Sequence, residues 1–347
     1  MKNNAKKIKK LLPLAVLFAA AALLGILLAV LTRSNTDAAD TTIPLCGFTA
    51  EEIDRLAYSG NNMDVTLLKG STGDWMLDSD PALPLDQAKV TSLVEQYAAL
   101  AALRKLEGSD LAELPEKSAA PQMTITIGAG KKTLALTVDQ LNAVADVYYV
   151  YDESGAAYTV MRSDLATLSK SPRDLYKAQT LTDKALSDVA AMQVNDLQFT
   201  QTDGSWTLTD DPDYPVSQSS IKKMASTILQ MQTAWTVTAP EADTAYGLDS
   251  PDVTAVLTFT DGTSLTVRFG NAVAAAADGS DGDSLCYLAS DAAPTVVYEV
   301  NADSKLAYAV TKESLYEETA TAETAASDPV AQYPVGGEDD YADSLPE

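Results

Sequence analysis

The side chains best placed to do chemistry in this sequence are carboxylates. Two D-P-x-x-P runs hold Asp78 and Asp80 in one place and Asp210, Asp211 and Asp213 in another. Paired carboxylates are what calcium coordination or glycoside hydrolysis requires. A plainer reading competes: proline fixes a turn, aspartate accepts amide hydrogen bonds within it, and together they lead a strand into a helix. Only Asp80 and Asp211 coincide when the runs are superposed, which suits the turn. A third group, Asp278, Asp281 and Asp283, lacks the D-x-[DN]-x-[DN]-G order of a calcium loop and reads as a solvated loop. The sequence has no histidine and two cysteines, Cys46 and Cys286. Those absences remove Ser-His-Asp and Cys-His triads, imidazole acid-base catalysis and every Cys/His zinc arrangement. The two thiols are expected to be packed and unpaired rather than bridged. No catalytic residue, metal ligand or cofactor is assigned.

Aromatic residues offer a second kind of chemistry. Trp75 and Trp206 could stack on a sugar, but each begins an alternating strand beside a helix that needs covering, so core packing is the expectation. Tyr148, Tyr149, Tyr151 and Tyr158 fit an exposed recognition surface and ordinary strand positions equally well. Charge narrows the partners. The chain carries 24 Lys plus Arg against 49 Asp plus Glu, a net of -25. Five lysines crowd the first ten residues, and from Ser34 onward 18 basic residues face 49 acidic ones. Such a surface repels phosphate backbones, so no nucleic-acid partner is expected.

The elements that must position these residues come in two copies. Gly73, Trp75, Leu77, Asp80, Pro81, Pro84 and Gln87 recur, 131 positions later, as Gly204, Trp206, Leu208, Asp211, Pro212, Pro215 and Gln218. The register continues through Val90, Leu93, Tyr97 and Leu100 against Ile221, Met224, Ile228 and Met231, whose spacing marks one face of an amphipathic helix. Later the offset becomes 140, with Val160, Leu175 and Tyr176 against Val300, Leu315 and Tyr316, so the second copy has gained nine residues, placed in the small and acidic stretch 274–283. Strands are expected over 53–59, 64–69, 75–77, 123–127, 133–138, 147–151 and 157–161. Asp86 should cap a helix running to about Arg104, and Ser217 its counterpart. Asp261-Gly262 between the alternating runs 253–259 and 264–269 predicts a hairpin.

At the amino terminus, residues 11–31 run 21 positions without a charge behind Lys2, Lys6, Lys7, Lys9 and Lys10. At about 1.5 Å per residue, roughly 20 residues cross roughly 30 Å of hydrocarbon, whereas the apolar part of a cleavable signal is about 7 to 15 residues long. A single-pass anchor at 11–32 is expected, with the amino terminus cytoplasmic and the rest extracytoplasmic. Cleavage near Ala38-Ala39 is the alternative, and Leu45 argues against a lipidated Cys46. The expected fold class is α+β: a transmembrane helix, then two tandem modules, each an antiparallel β-sheet with one long amphipathic helix and a short closing helix. The divisions are a basic stub at 1–10, a linker at 33–45, modules at 46–178 and 179–318, and an acidic, disordered tail at 319–347.

The Trp-to-Pro segment before a helix, the turn Tyr246-Gly247-Leu248-Asp249-Ser250-Pro251, Asp261-Gly262 and Phe269-Gly270 resemble the domain-of-unknown-function family 4340 over residues 48–318. The first copy departs from the pattern, reading LAELPEKSAAP over 111–121 where Y-G-L-D-x-P is expected. The resemblance implies an accessory protein associated with ABC-type transport systems, of the kind found with gliding-motility auxiliary components, and identifies no catalytic residues. Together with the expected anchor it points to a non-enzymatic accessory or binding protein contacting a transporter or a cell-envelope component, with Tyr246, Gly247, Leu248, Asp249 and Pro251 as a possible binding turn. The alternatives are a carboxylate-dependent hydrolase of envelope glycan and a calcium-dependent surface adhesin.

Overall fold

The computed structural model describes residues 42–60, 63–274 and 284–317. Two eight-stranded antiparallel sheets dominate these residues. The first contains β2 (Arg55–Gly60), β3 (Met63–Lys69), β4 (Trp75–Leu77), β6 (Arg104–Leu106), β7 (Met123–Ala129), β8 (Lys132–Asn142), β9 (Val147–Asp152) and β10 (Ala157–Met161), in the order β4-β3-β2-β7-β8-β9-β10-β6. A short pair, β1 (Ile43–Pro44) with β5 (Ala101–Ala102), lies beside it. The second sheet repeats that order with β11 (Val189–Val194), β12 (Leu197–Thr202), β13 (Ser205–Leu208), β14 (Thr233–Val237), β15 (Val253–Phe259), β16 (Ser264–Ala272), β17 (Leu285–Ser290) and β18 (Val297–Asn301), running β13-β12-β11-β15-β16-β17-β18-β14.

One helix fills each module. Helix α1 (Gln87–Ala98) buries Val90, Leu93, Val94 and Tyr97, and α2 (Gln218–Leu229) buries Ile221, Met224, Ala225, Ile228 and Leu229. Each helical stripe joins the inward residues of its own sheet in a single apolar cluster. The caps are the expected ones: the Asp86 side chain accepts from the amides of Ala88 and Lys89, and the Ser217 hydroxyl from that of Ser220. Asp261 and Gly262 turn the chain from β15 into β16. Gly262 sits at φ +83°, which favours glycine, while the Asp261 carboxylate accepts from the amide and hydroxyl of Thr263.

The α+β expectation is corrected on three points. Among the described residues strands outnumber helices about two to one, and the main helix of each module has only 12 residues. Helix α1 stops at Ala98 because 101–106 is drawn into strand pairing, Arg104 to Leu106 lying against Thr159 to Ala157 at the sheet edge. Tertiary pairing outweighs the high helical propensity of an Ala- and Leu-rich stretch. The closing helices are single turns, Pro172–Leu175 and Glu313–Leu315. Finally, among the described residues no helix is long and apolar enough to cross a membrane. The segment 11–32 lies outside them, so the transmembrane helix, and the single-pass membrane localisation and orientation deduced from it, have no support in the structure.

The linker expected over 33–45 already contains β1 at its end. The lengthened connection falls between β16 and β17, joined by residues 273–284 where β8 and β9 are joined by 143–146. Its interior, with Asp278, Asp281 and Asp283, lies outside the described residues, as does the tail at 319–347.

The cores solve one problem in two ways. In the first module Tyr97, on the helix, donates to the carbonyl of Leu168. In the second module the position equivalent to Leu168 is Tyr308, which donates back to the helix at the carbonyl of Met224. Both phenols are buried, and burial pushes their pKa well above the ordinary value.

Candidate interaction face at the module ends

The repeated tryptophans are core residues, Trp75 and Trp206 both being buried. The glutamine twelve positions later explains the spacing. The Gln87 amide accepts from the Trp75 N–H at 2.7 Å and donates to the Trp75 carbonyl at 3.0 Å. Gln218 does the same for Trp206 at 2.7 and 2.7 Å. A side-chain amide thus supplies the two bonds a further strand would offer, closing the edge of each sheet against the start of its helix.

Between these two points lies the D-P-x-x-P turn, and beside it the chain returns at the end of each module. Asp86 N–H donates to the Leu175 carbonyl at 2.8 Å and Lys177 N–H to that of Pro84 at 2.9 Å. The second copy repeats this with Ser217 to Leu315 at 2.7 Å and Glu317 to Pro215 at 3.0 Å. Leu85 bridges Tyr176 and Val216 bridges Tyr316. Each module therefore ends in one face built from the D-P-x-x-P turn and the Leu-Tyr close.

What covers that face differs between the copies. In the first module it is buried by the second. The Tyr176 hydroxyl lies 2.6 Å from the Thr233 hydroxyl and 2.7 Å from that of Thr236, both on β14. Its ring packs at 5.3 Å on Trp235, which also joins the apolar core of the first module. Arg173 makes two hydrogen bonds to the buried carboxylate of Glu299, at 2.8 and 3.2 Å, and its guanidinium lies 4.8 Å from the Trp235 ring centre. Asp80, the aspartate held at the constant offset, accepts from the Thr238 hydroxyl at 2.6 Å.

In the second module the same face is open. Tyr316 is 54% exposed where Tyr176 is 5% exposed. Its ring meets Tyr214 edge-on at 5.8 Å. Asp211 pairs with its own Lys312 at 2.8 Å, and that hydrogen bond raises the lysine pKa. A surface groove of about 670 Å³ runs along this end, lined by Trp206, Pro212, Tyr214, Pro215, Gln218 and Glu317 among others. The Trp206 indole N–H, buried at the groove wall, has no hydrogen-bond partner among the described residues.

The remaining candidates fall elsewhere. Asp80 and Asp211 both serve structural contacts, and among the described residues no group of three or more Cys, Asp or Glu side chains is arranged to hold a metal ion. The turn at 246–251 is pinned to β16: Asn271 N–H donates to the Tyr246 carbonyl, Arg268 donates to the Leu248 carbonyl, and a Cβ on Gly247 would collide with the Asn271 side chain. Tyr246 itself packs edge-on against Tyr287 at 4.8 Å, and Leu248 is fully buried. Of the strand tyrosines, Tyr151 is buried, Tyr149 accepts from Asn142 and Tyr158 donates to Asp152. Cys46 and Cys286 are free and buried in separate cores.

In sequence the Leu-Tyr pair is only a matched position of the repeat, and its role, with those of Arg173, Trp235 and Glu299, is not visible there. Two signals were present: Trp235 is the tryptophan without a repeat partner, and Glu299 interrupts an otherwise apolar strand, VYEVN. The chain matches no protein-family model, no curated protein and no solved structure, which leaves the two end faces as the ground for a functional reading.

Proposed function

We infer that this chain is a non-catalytic binding protein whose second module presents its end face to another protein. One observation carries the reading: a face that is covered by the neighbouring module in the first copy stands uncovered in the second, with Tyr316 exposed where Tyr176 is buried. An exposed tyrosine beside a second tyrosine is what contact surfaces are enriched in. The family resemblance adds a partner class, a component of a transport or cell-envelope assembly. Crosslinking the tagged full chain in its native cells, followed by isolation under denaturing conditions, tests this reading. A protein of that class should be recovered with the wild type and lost with Tyr316→Ala. The same proteins recovered from both would overturn it.

A further inference from the structure

We propose that the end face of the second module docks the leading edge of the first module of another copy of this chain, repeating between molecules the junction that each molecule contains. The inference rests on the binding role just assigned to that face and commits it to one partner.

The internal junction defines both halves of the contact. The donor half is the end face; the acceptor half is the edge formed by β14 and β18. In the first module that edge is β6 and β10, in the same register: Arg104 stands opposite Thr159 as Trp235 stands opposite Glu299, and Lys105 opposite Tyr158 as Thr236 opposite Tyr298. Its backbone is already paired in both copies, with Pro44 on Ala101 in one and Thr180 on Gln232 in the other. Docking therefore proceeds through side chains, as it does at the junction.

Those side chains are complementary, with the charges exchanged. Where the junction sets Arg173 of the end face against Glu299 of the edge, the free end carries Glu313 at the Arg173 position, and the free edge carries Thr159 at the Glu299 position with Arg104 and Lys105 on the strand beside it. Both basic side chains are exposed and now pair with surface acids, Arg104 with Asp110 at 3.0 Å and Lys105 with Glu107 at 3.5 Å, which docking would exchange for Glu313; Leu103 beside them is 42% exposed, giving Tyr316 an apolar neighbour. Asp211 would meet Glu107 where Asp80 meets Thr238. Lys312, which replaces Pro172, already neutralises Asp211 and offers that glutamate a partner. Ala102 and Lys105 lack the hydroxyls of Thr233 and Thr236, so the intermolecular contact is weaker than the internal one. Repetition of such a contact is heterologous and gives open chains that lengthen with concentration.

Sedimentation velocity of the full chain over a range of concentrations tests this. A mild detergent is included because residues 11–31 are uncharged and apolar. The wild type should associate reversibly and less strongly at high salt. Glu313→Arg and Arg104→Glu should each weaken association about tenfold, as should Tyr316→Ala, with melting temperatures unchanged. An equimolar mixture of Glu313→Arg and Arg104→Glu chains should recover association, because each supplies the half the other lacks. A wild type that stays monomeric, or association indifferent to Arg104→Glu, would overturn the proposal. If that happens while crosslinking still captures a Tyr316-dependent partner, the binding role stands and only the second copy falls.

Discussion

Gln218 shows how much one side chain contributes to the sheet edge. Its amide holds both polar atoms of the Trp206 backbone, so Gln218→Ala leaves a donor and an acceptor without partners. A cost of about 2 kcal/mol is expected in denaturant unfolding. Gln218→Glu keeps the acceptor, loses the donor and should cost less. The buried acids of the core set the alkaline limit. Burial raises the pKa of Cys46, Cys286, Tyr58, Tyr97 and Tyr308. In the unfolded chain these groups release protons near about pH 8.5 for thiols and about pH 10 for phenols, while the folded chain still holds them. Their contribution is thus complete below about pH 8.5 and is lost as pH rises toward the folded-state values. The urea midpoint should fall between pH 8 and pH 11, and both thiols should resist maleimide at pH 8 until the chain is unfolded. A constant midpoint would contradict this.

At the scale of elements, the helices act as cores for their sheets. Leu93→Ala in α1 removes a buried side chain from the centre of the first cluster and should cost about 2 to 5 kcal/mol by denaturant titration. What could be read from sequence was local: the Asp86 and Ser217 caps, the Asp261-Gly262 hairpin and the Trp-to-Gln motif each depend on residues within about a dozen positions. What could not be read depends on distant partners. Residues 104–106 pair with β10 and residues 101–102 with β1, each more than 50 positions away, and those pairings decide strand over helix. Tyr176 is hidden for the same reason, since the threonines that receive it lie 57 and 60 positions on. The repeat matches the two Leu-Tyr pairs, but sequence identity at the two positions conceals that they build an end face and that one is covered and the other is not.

Across the whole molecule, the junction couples the modules. Tyr176 belongs to the first core and is bonded to the second sheet. Tyr176→Phe leaves the Thr233 and Thr236 hydroxyls without their shared partner, at a cost of about 1 to 3 kcal/mol. Calorimetry should then resolve two transitions where the wild type shows the modules melting together; a single unshifted transition in the variant would show that the junction contributes nothing. The reciprocal tyrosines also bear on how the pair of copies persists. Tandem duplicates invite unequal crossover, which fuses the front of one copy to the back of the other. A hybrid taking Tyr97 from the first helix and Tyr308 from the second close would crowd two phenols into a space built for one, and the opposite hybrid, with Ile228 and Leu168, would have neither. A crossover that separates helix from close should therefore give a module with a mismatched core, which a lower melting temperature of either hybrid would show.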